Sequence, residues 1–154
     1  MLNTRKTTEN DVGASYDQDV VLWANEQAAL LRAGQFSELD IEHVADEIED
    51  VSKAAEVELE RRLGALLVEV LKWQCKPAHR CVAWTREIAL LRSIAEGCFN
   101  DAPSLRVLLA DPEFVNDVWS DAMVAVIADT GRDDFPDECP WPMSTVLAPD
   151  WLPA

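Results

Sequence analysis

Histidine is scarce in this chain: His43 and His79 are the two it has. Neither a Gly-x-Ser-x-Gly elbow nor a glycine-rich phosphate loop occurs. The usual sequence marks of nucleophilic acyl transfer and of nucleotide binding are therefore missing. Positive charge is short as well. Thirteen Lys and Arg stand against 29 Asp and Glu, a formal net charge of −16. Phosphate contacts need clustered Lys and Arg, which argues against a nucleic-acid partner, and an anionic membrane is disfavoured for the same reason. No run approaches the ~18 uninterrupted apolar residues of a membrane span. The stretch Met1–Asn10 lacks the apolar centre of a signal peptide. The four cysteines, Cys75, Cys81, Cys98 and Cys139, include no Cys-x-x-Cys pair. Reduced thiols in a cytoplasmic protein are the expectation.

What the chain has is helix. Its 154 residues and 49% hydrophobic content suit one domain with a substantial core. From Ile41 to Gln74 there is no proline and one glycine, Gly64. Ile41, Val44, Ile48, Val51, Ala55, Leu59, Leu63, Leu66 and Val70 recur at helical steps, so the spacing predicts one long helix with these residues as its core stripe. Asp40 is its expected N-cap, with Leu39 and Val44 at the two positions of a hydrophobic staple. A first helix is expected over about 17–32, opened by Ser15 and Gln18 at capping-box spacing and stopped at Gly34. Further helices are expected over about 78–100, 104–109 and from Pro112 to near Gly131, where Asp111 would cap and Pro112 would occupy the first turn. The tail from Phe135 to Pro153 is rich in proline and carries Trp141 and Trp151. Disordered tails rarely carry tryptophan, so docking is expected. The fold class is then an all-α bundle around one long central helix, with an irregular tail docked on it. Residues 1–14 read as a flexible leader and 15–154 as a single helical domain.

Charge is unevenly spread. Seven carboxylates and no Lys or Arg lie between Glu38 and Asp50. Basic residues collect later, at Lys72, Lys76, Arg80, Arg86 and Arg92. Acids at the start of the long helix and bases after its end both suit the helix dipole.

The order Tyr16-Asp17-Gln18-Asp19, Trp23, Leu30 through Asp40 and Ala45 through Asp50 resembles the bacterial family called domain of unknown function 29. The likeness continues through Leu71-Lys72-Trp73-Gln74, Pro77, Trp84, Ile88, Arg92 and Pro103–Arg106. It closes with Phe135–Pro140 and Pro149-Asp150-Trp151-Leu152-Pro153. The resemblance implies a small helical bacterial protein and assigns no activity. Many members carry His where this chain has Glu69, and Thr near its Glu87.

Three chemistries compete for these residues. A solvated acidic surface at Asp46, Glu47, Glu49 and Asp50 would bind a basic protein partner without catalysis. A metal site could instead use His43, Glu47 and Asp50. His43 and Glu47 stand at i, i+4, although the Glu-x-x-His pattern of carboxylate-bridged bundle sites is absent. That alternative would make the protein a metal-dependent hydrolase or oxidoreductase. Cys75, His79 and Cys81 with Cys139 have the ligand types for zinc at a spacing that matches no standard knuckle. The expectation is a non-enzymatic interaction or regulatory module with no cofactor. A homodimer is also expected, because Leu63 to Trp73 is apolar nearly all round and needs cover.

Overall fold

The computed structural model describes residues 15–154, and the expected leader over 1–14 lies outside them. The helices are α1 (Val20–Ala33), α2 (Ile41–Cys75), α3 (Val82–Asp101), α4 (Pro112–Thr130) and the single turn α5 (Met143–Val146). Short 3-10 segments cover Phe36–Glu38, Pro77–His79 and Pro103–Ala110, and no strand occurs among the described residues. The fold is all-α, built around one long helix. Contacts divide the described residues into two compact units, the first ending at Val51 and the second spanning Ser52–Ala154. Helix α2 gives residues 41–51 to the first and 52–75 to the second.

The start of α1 differs from the expectation. Asp19, not Ser15, caps it: its carboxylate accepts from Leu22 N at 2.9 Å. The Ser15 carbonyl is occupied with Gln18 N and Asp19 N, closing a turn just before the helix. At the other end Gly34 adopts φ 72°, the left-handed conformation that glycine tolerates, and Gln35 N donates to Leu30 O. Asp40 caps α2 as expected, its carboxylate accepting from His43 N at 3.4 Å.

The long helix is continuous over Ile41–Cys75, close to its expected bounds. Its predicted core stripe is not. Leu59, Leu63, Leu66, Leu67, Val70 and Leu71 are buried in the second unit, but Ile41, Ile48 and Val51 are 65%, 67% and 72% exposed. In residues 41–51 the half-covered positions are His43, Val44 and Glu47. A period of 3.6 locates stripes on a helix and does not say which stripe a neighbour will cover.

The second unit holds the core. Ile88, Ala95 and Phe99 of α3, Leu105, and Val118, Trp119, Ala122 and Val126 of α4 are buried with the second half of α2. Burial of Leu63 to Trp73 is thus supplied by the same chain. A second copy, if one binds, meets other surface. Helix α3 starts at Val82 rather than Ala78. Arg80 is extended at ψ 128°, its Nε donates to Trp73 O at 2.9 Å, and its guanidinium lies 5.1 Å from the Trp73 ring, which pins the corner. The stretch expected as a short helix over 104–109 is a 3-10 run, its turns closed by bonds such as Asp111 N to Leu108 O.

The tail is docked. Trp119 donates from Nε1 to Pro136 O at 3.1 Å, and the Trp119, Trp141 and Trp151 rings meet edge to face at 6.1 and 5.2 Å. Arg92 is 5% exposed. It donates from Nε to Val146 O at 2.8 Å, from Nη1 to Pro149 O at 3.0 Å and from Nη2 to Trp151 O. Burial draws its pKa down, and nearby Asp150 opposes the shift.

Candidate functional site

The first unit is a helical hairpin with very little apolar interior. Trp23 and Gln27 are its only buried residues among those described. On α1 they stand at i, i+4, one step before half-buried Leu30, and so share a face. The hairpin closes on polar and aromatic groups instead of aliphatic ones.

Asp40 is the centre of that closure. Its carboxylate accepts from Trp23 Nε1 at 3.2 Å and pairs with His43 Nδ1 at 2.7 Å. Its backbone N–H donates to Gln27 Oε1 at 2.8 Å. Tyr16 stacks on the His43 ring at 4.2 Å and meets Trp23 edge-on at 4.9 Å. The Tyr16 hydroxyl donates to Glu47 Oε1 at 2.7 Å. Each buried polar atom of this unit therefore has a partner, as does every buried side-chain nitrogen and oxygen among the described residues.

These bonds shift the titrations. The hydrogen bond to Asp40 raises the His43 pKa above 6.5, and the same bond lowers Asp40 below 3.8. The bond to Glu47 raises Tyr16 above 10.0. Because folding raises the His43 pKa, its share of stability is complete below pH 6.5 and fades as pH rises through the elevated folded value. The Asp40 share is complete above pH 3.8 and fades as pH falls through the depressed folded value. The hairpin is accordingly expected to be tightest between those limits. Side-chain NMR of His43 should show a midpoint above 6.5, and Asp40→Asn should return it toward 6.5. An unchanged midpoint in that variant would remove Asp40 as the cause.

The expected surface set is divided by this geometry. Asp46, Glu49 and Asp50 are exposed, while Glu47 is half-buried against Tyr16. Of the residues considered for metal, His43 is engaged by Asp40 and stacked on Tyr16, and Glu47 is engaged by the Tyr16 hydroxyl. No group of three or more His, Cys, Asp or Glu among the described residues is arranged to hold a metal ion. Cys75, Cys81 and Cys139 are free thiols, and His79 is exposed. The parts sequence reasoning missed are Tyr16 and Gln27. Gln27 stands one helical step after Trp23 on α1, and Tyr16 lies in the turn that precedes that helix.

In the second unit Lys72, Lys76, Arg80 and Arg92 are engaged locally. Lys76 pairs with Asp129 at 2.8 Å, and Lys72 with Glu69 at 3.2 Å and Asp129 at 3.8 Å. The Lys76 bond draws Asp129 below its ordinary pKa. Glu69 also accepts from Trp84 Nε1 at 2.8 Å, so it ties α2 to α3, while Glu87 is exposed. Arg61 and Arg62 both bond Glu58, lowering its pKa to about 2. A cleft of about 540 Å³ is lined by Pro112, Glu113, Val115, Asn116, Glu138 and Cys139. Its thiol donates to Trp141 O at 3.3 Å, and burial pushes the thiol pKa up, which makes Cys139 a poor nucleophile.

No helix among the described residues is long and apolar enough to cross a membrane. Residues 15–152 match the family described as "Domain of unknown function DUF29", and the chain belongs to that family. No curated protein and no solved structure matches the chain.

Proposed function

We propose that this chain is a non-enzymatic interaction module that engages a basic protein through the acidic side of its first unit, at Asp46, Glu47, Glu49 and Asp50. One observation carries the reading. Between Ser15 and Val51 ten carboxylates accompany one Lys or Arg, Arg32, on a hairpin that buries only Trp23 and Gln27 among the described residues. So small an interior leaves most of the hairpin as presented surface. Tyr16 holds Glu47 at the edge of that surface and fixes its orientation. The four free thiols suit a reducing cytoplasm.

Surface repulsion is screened over roughly 8–10 Å at physiological salt. Added NaCl should therefore raise the melting temperature smoothly. The triple variant Asp46→Asn, Glu49→Gln, Asp50→Asn should melt at the same temperature or higher. It should bind a disordered Lys-rich peptide about tenfold more weakly than the parent, since charge complementarity sets such encounters. Equal binding by parent and variant would reject the acidic surface. A chelator that lowers the melting temperature, with one change at His43 or Glu47 abolishing the effect, would favour the metal-dependent enzyme instead.

A further inference from the structure

The first eleven residues of α2 carry an apolar edge that the hairpin does not use. Ile41, Ala45 and Ile48 follow one another at i, i+4 and i+7, and all three are exposed. At ~100° per residue they fall within roughly 60° of arc. Val51, also exposed, extends the edge on the side of Val44. Glu42, Asp46 and Glu49 each follow one of these apolar residues by a single position. They form an acidic border about 100° round the helix. The opposite flank is the α1-facing side, occupied by Asp40, His43 and Glu47 with their partners Trp23 and Tyr16.

A narrow apolar seam with charged borders is the surface that a second helix covers, its own apolar residues at i, i+3/i+4 and i+7 filling the seam. Charge decides the occupant. A second copy would lay Glu42, Asp46 and Glu49 beside their own counterparts, and like charges across a helix pair oppose association. An anionic lipid surface is repelled by the same border. A helix with Lys or Arg flanking its apolar positions meets Glu42, Asp46 and Glu49 with opposite charge, and Lys53 stands on the same border only past Val51.

We infer that Ile41, Ala45, Ile48 and Val51 are the docking seam for a basic amphipathic helix from another protein, with Glu42, Asp46 and Glu49 pairing with that helix's flanking cations. This rests on the reading that the acidic side of the first unit binds a basic partner, and adds that the partner binds as a helix along α2.

The test uses the full chain and three synthetic 18-residue peptides. One has Leu at heptad seam positions and Lys at the flanks, the second has the same composition in an order without helical period, and the third has Glu in place of Lys. Titration calorimetry should give the periodic Lys peptide a Kd at least tenfold below that of the shuffled one. The variant Ile41→Ser/Ile48→Ser changes two exposed side chains and should melt like the parent. It should lose the tenfold preference and keep the weak, salt-sensitive binding of both Lys peptides. Equal affinity of the two Lys peptides for the parent overturns the seam and leaves the acidic-surface reading in place. So does a preference that survives the double variant. No binding of either Lys peptide overturns both. A parent that sediments as a dimer, with Ile41→Ser/Ile48→Ser monomeric, makes a second copy the occupant and overturns the proposal.

Discussion

Replacing Arg92 by Ala is expected to cost the second unit roughly 3–5 kcal/mol and to release the C-terminal tail. A hydrogen bond to a charged group contributes about 1.5–3 kcal/mol, and carbonyls left without a donor in a buried place cost about 1–3 kcal/mol each. Arg92 serves three carbonyls, of Val146, Pro149 and Trp151, and because neighbouring bonds do not add the total falls below their sum. Lysine offers one point charge in place of a planar fork and should recover little of the loss. Arg92→Met separates the causes, because it keeps an unbranched stem of similar length and removes the donors. Urea melts should place both variants well below the parent, with Trp emission shifting red as Trp141 and Trp151 leave their edge-to-face stack. A methionine variant within ~1 kcal/mol of the parent would show that apolar packing alone holds the tail.

Asp40→Ala should open the first unit while the second stays folded. Loss of an N-cap costs about 0.5–2 kcal/mol. The change also strips the acceptor from Trp23 Nε1, on a ring that is 3% exposed, and a buried donor without a partner costs about 1–3 kcal/mol. Together these give roughly 2–4 kcal/mol against a hairpin that has almost no aliphatic interior to resist them. Amide exchange should quicken across α1, residues 20–33, and stay slow in α4, residues 112–130. Uniform quickening in both units would mean that they open together; unchanged exchange in α1 would show that Asp40 is dispensable.

Much of the secondary structure was legible because its ends are chemically marked. Asp40 before Ile41, Gly34 after Ala33, Asp111-Pro112 and Gly131 each supply a cap or a break that no packing needs to arrange. The long helix was legible from its unbroken period. The inner side of the hairpin was not. Ile41 and Ile48 have the pattern of core residues, yet the side turned to α1 is made of Asp40, His43 and Glu47, which read as solvent-facing. Hydrophobicity ranks a stripe and cannot anticipate that aromatic rings and paired polar groups will close an interface. Arg92 was hidden for a related reason. A charged residue in a helix is read as surface, and its partners are carbonyls 54 to 59 residues further on, which leave no side-chain signal. Asp46, Glu49 and Asp50 are exposed, as a run of carboxylates without Lys or Arg favours.

Separation along the chain also sets when each unit can form during synthesis. The bonds of the hairpin join residues at most 31 positions apart, Tyr16 to Glu47, and local closures of that kind are fast. The Arg92 fork cannot close until Val146, Pro149 and Trp151 have left the ribosome. At about 5–20 residues per second, α2, α3 and α4 wait several seconds with Trp119 and its aliphatic neighbours uncovered by the tail. A nascent chain stalled before Val146 therefore lacks the Arg92 fork, whereas one stalled after the first unit has every residue its hairpin bonds require.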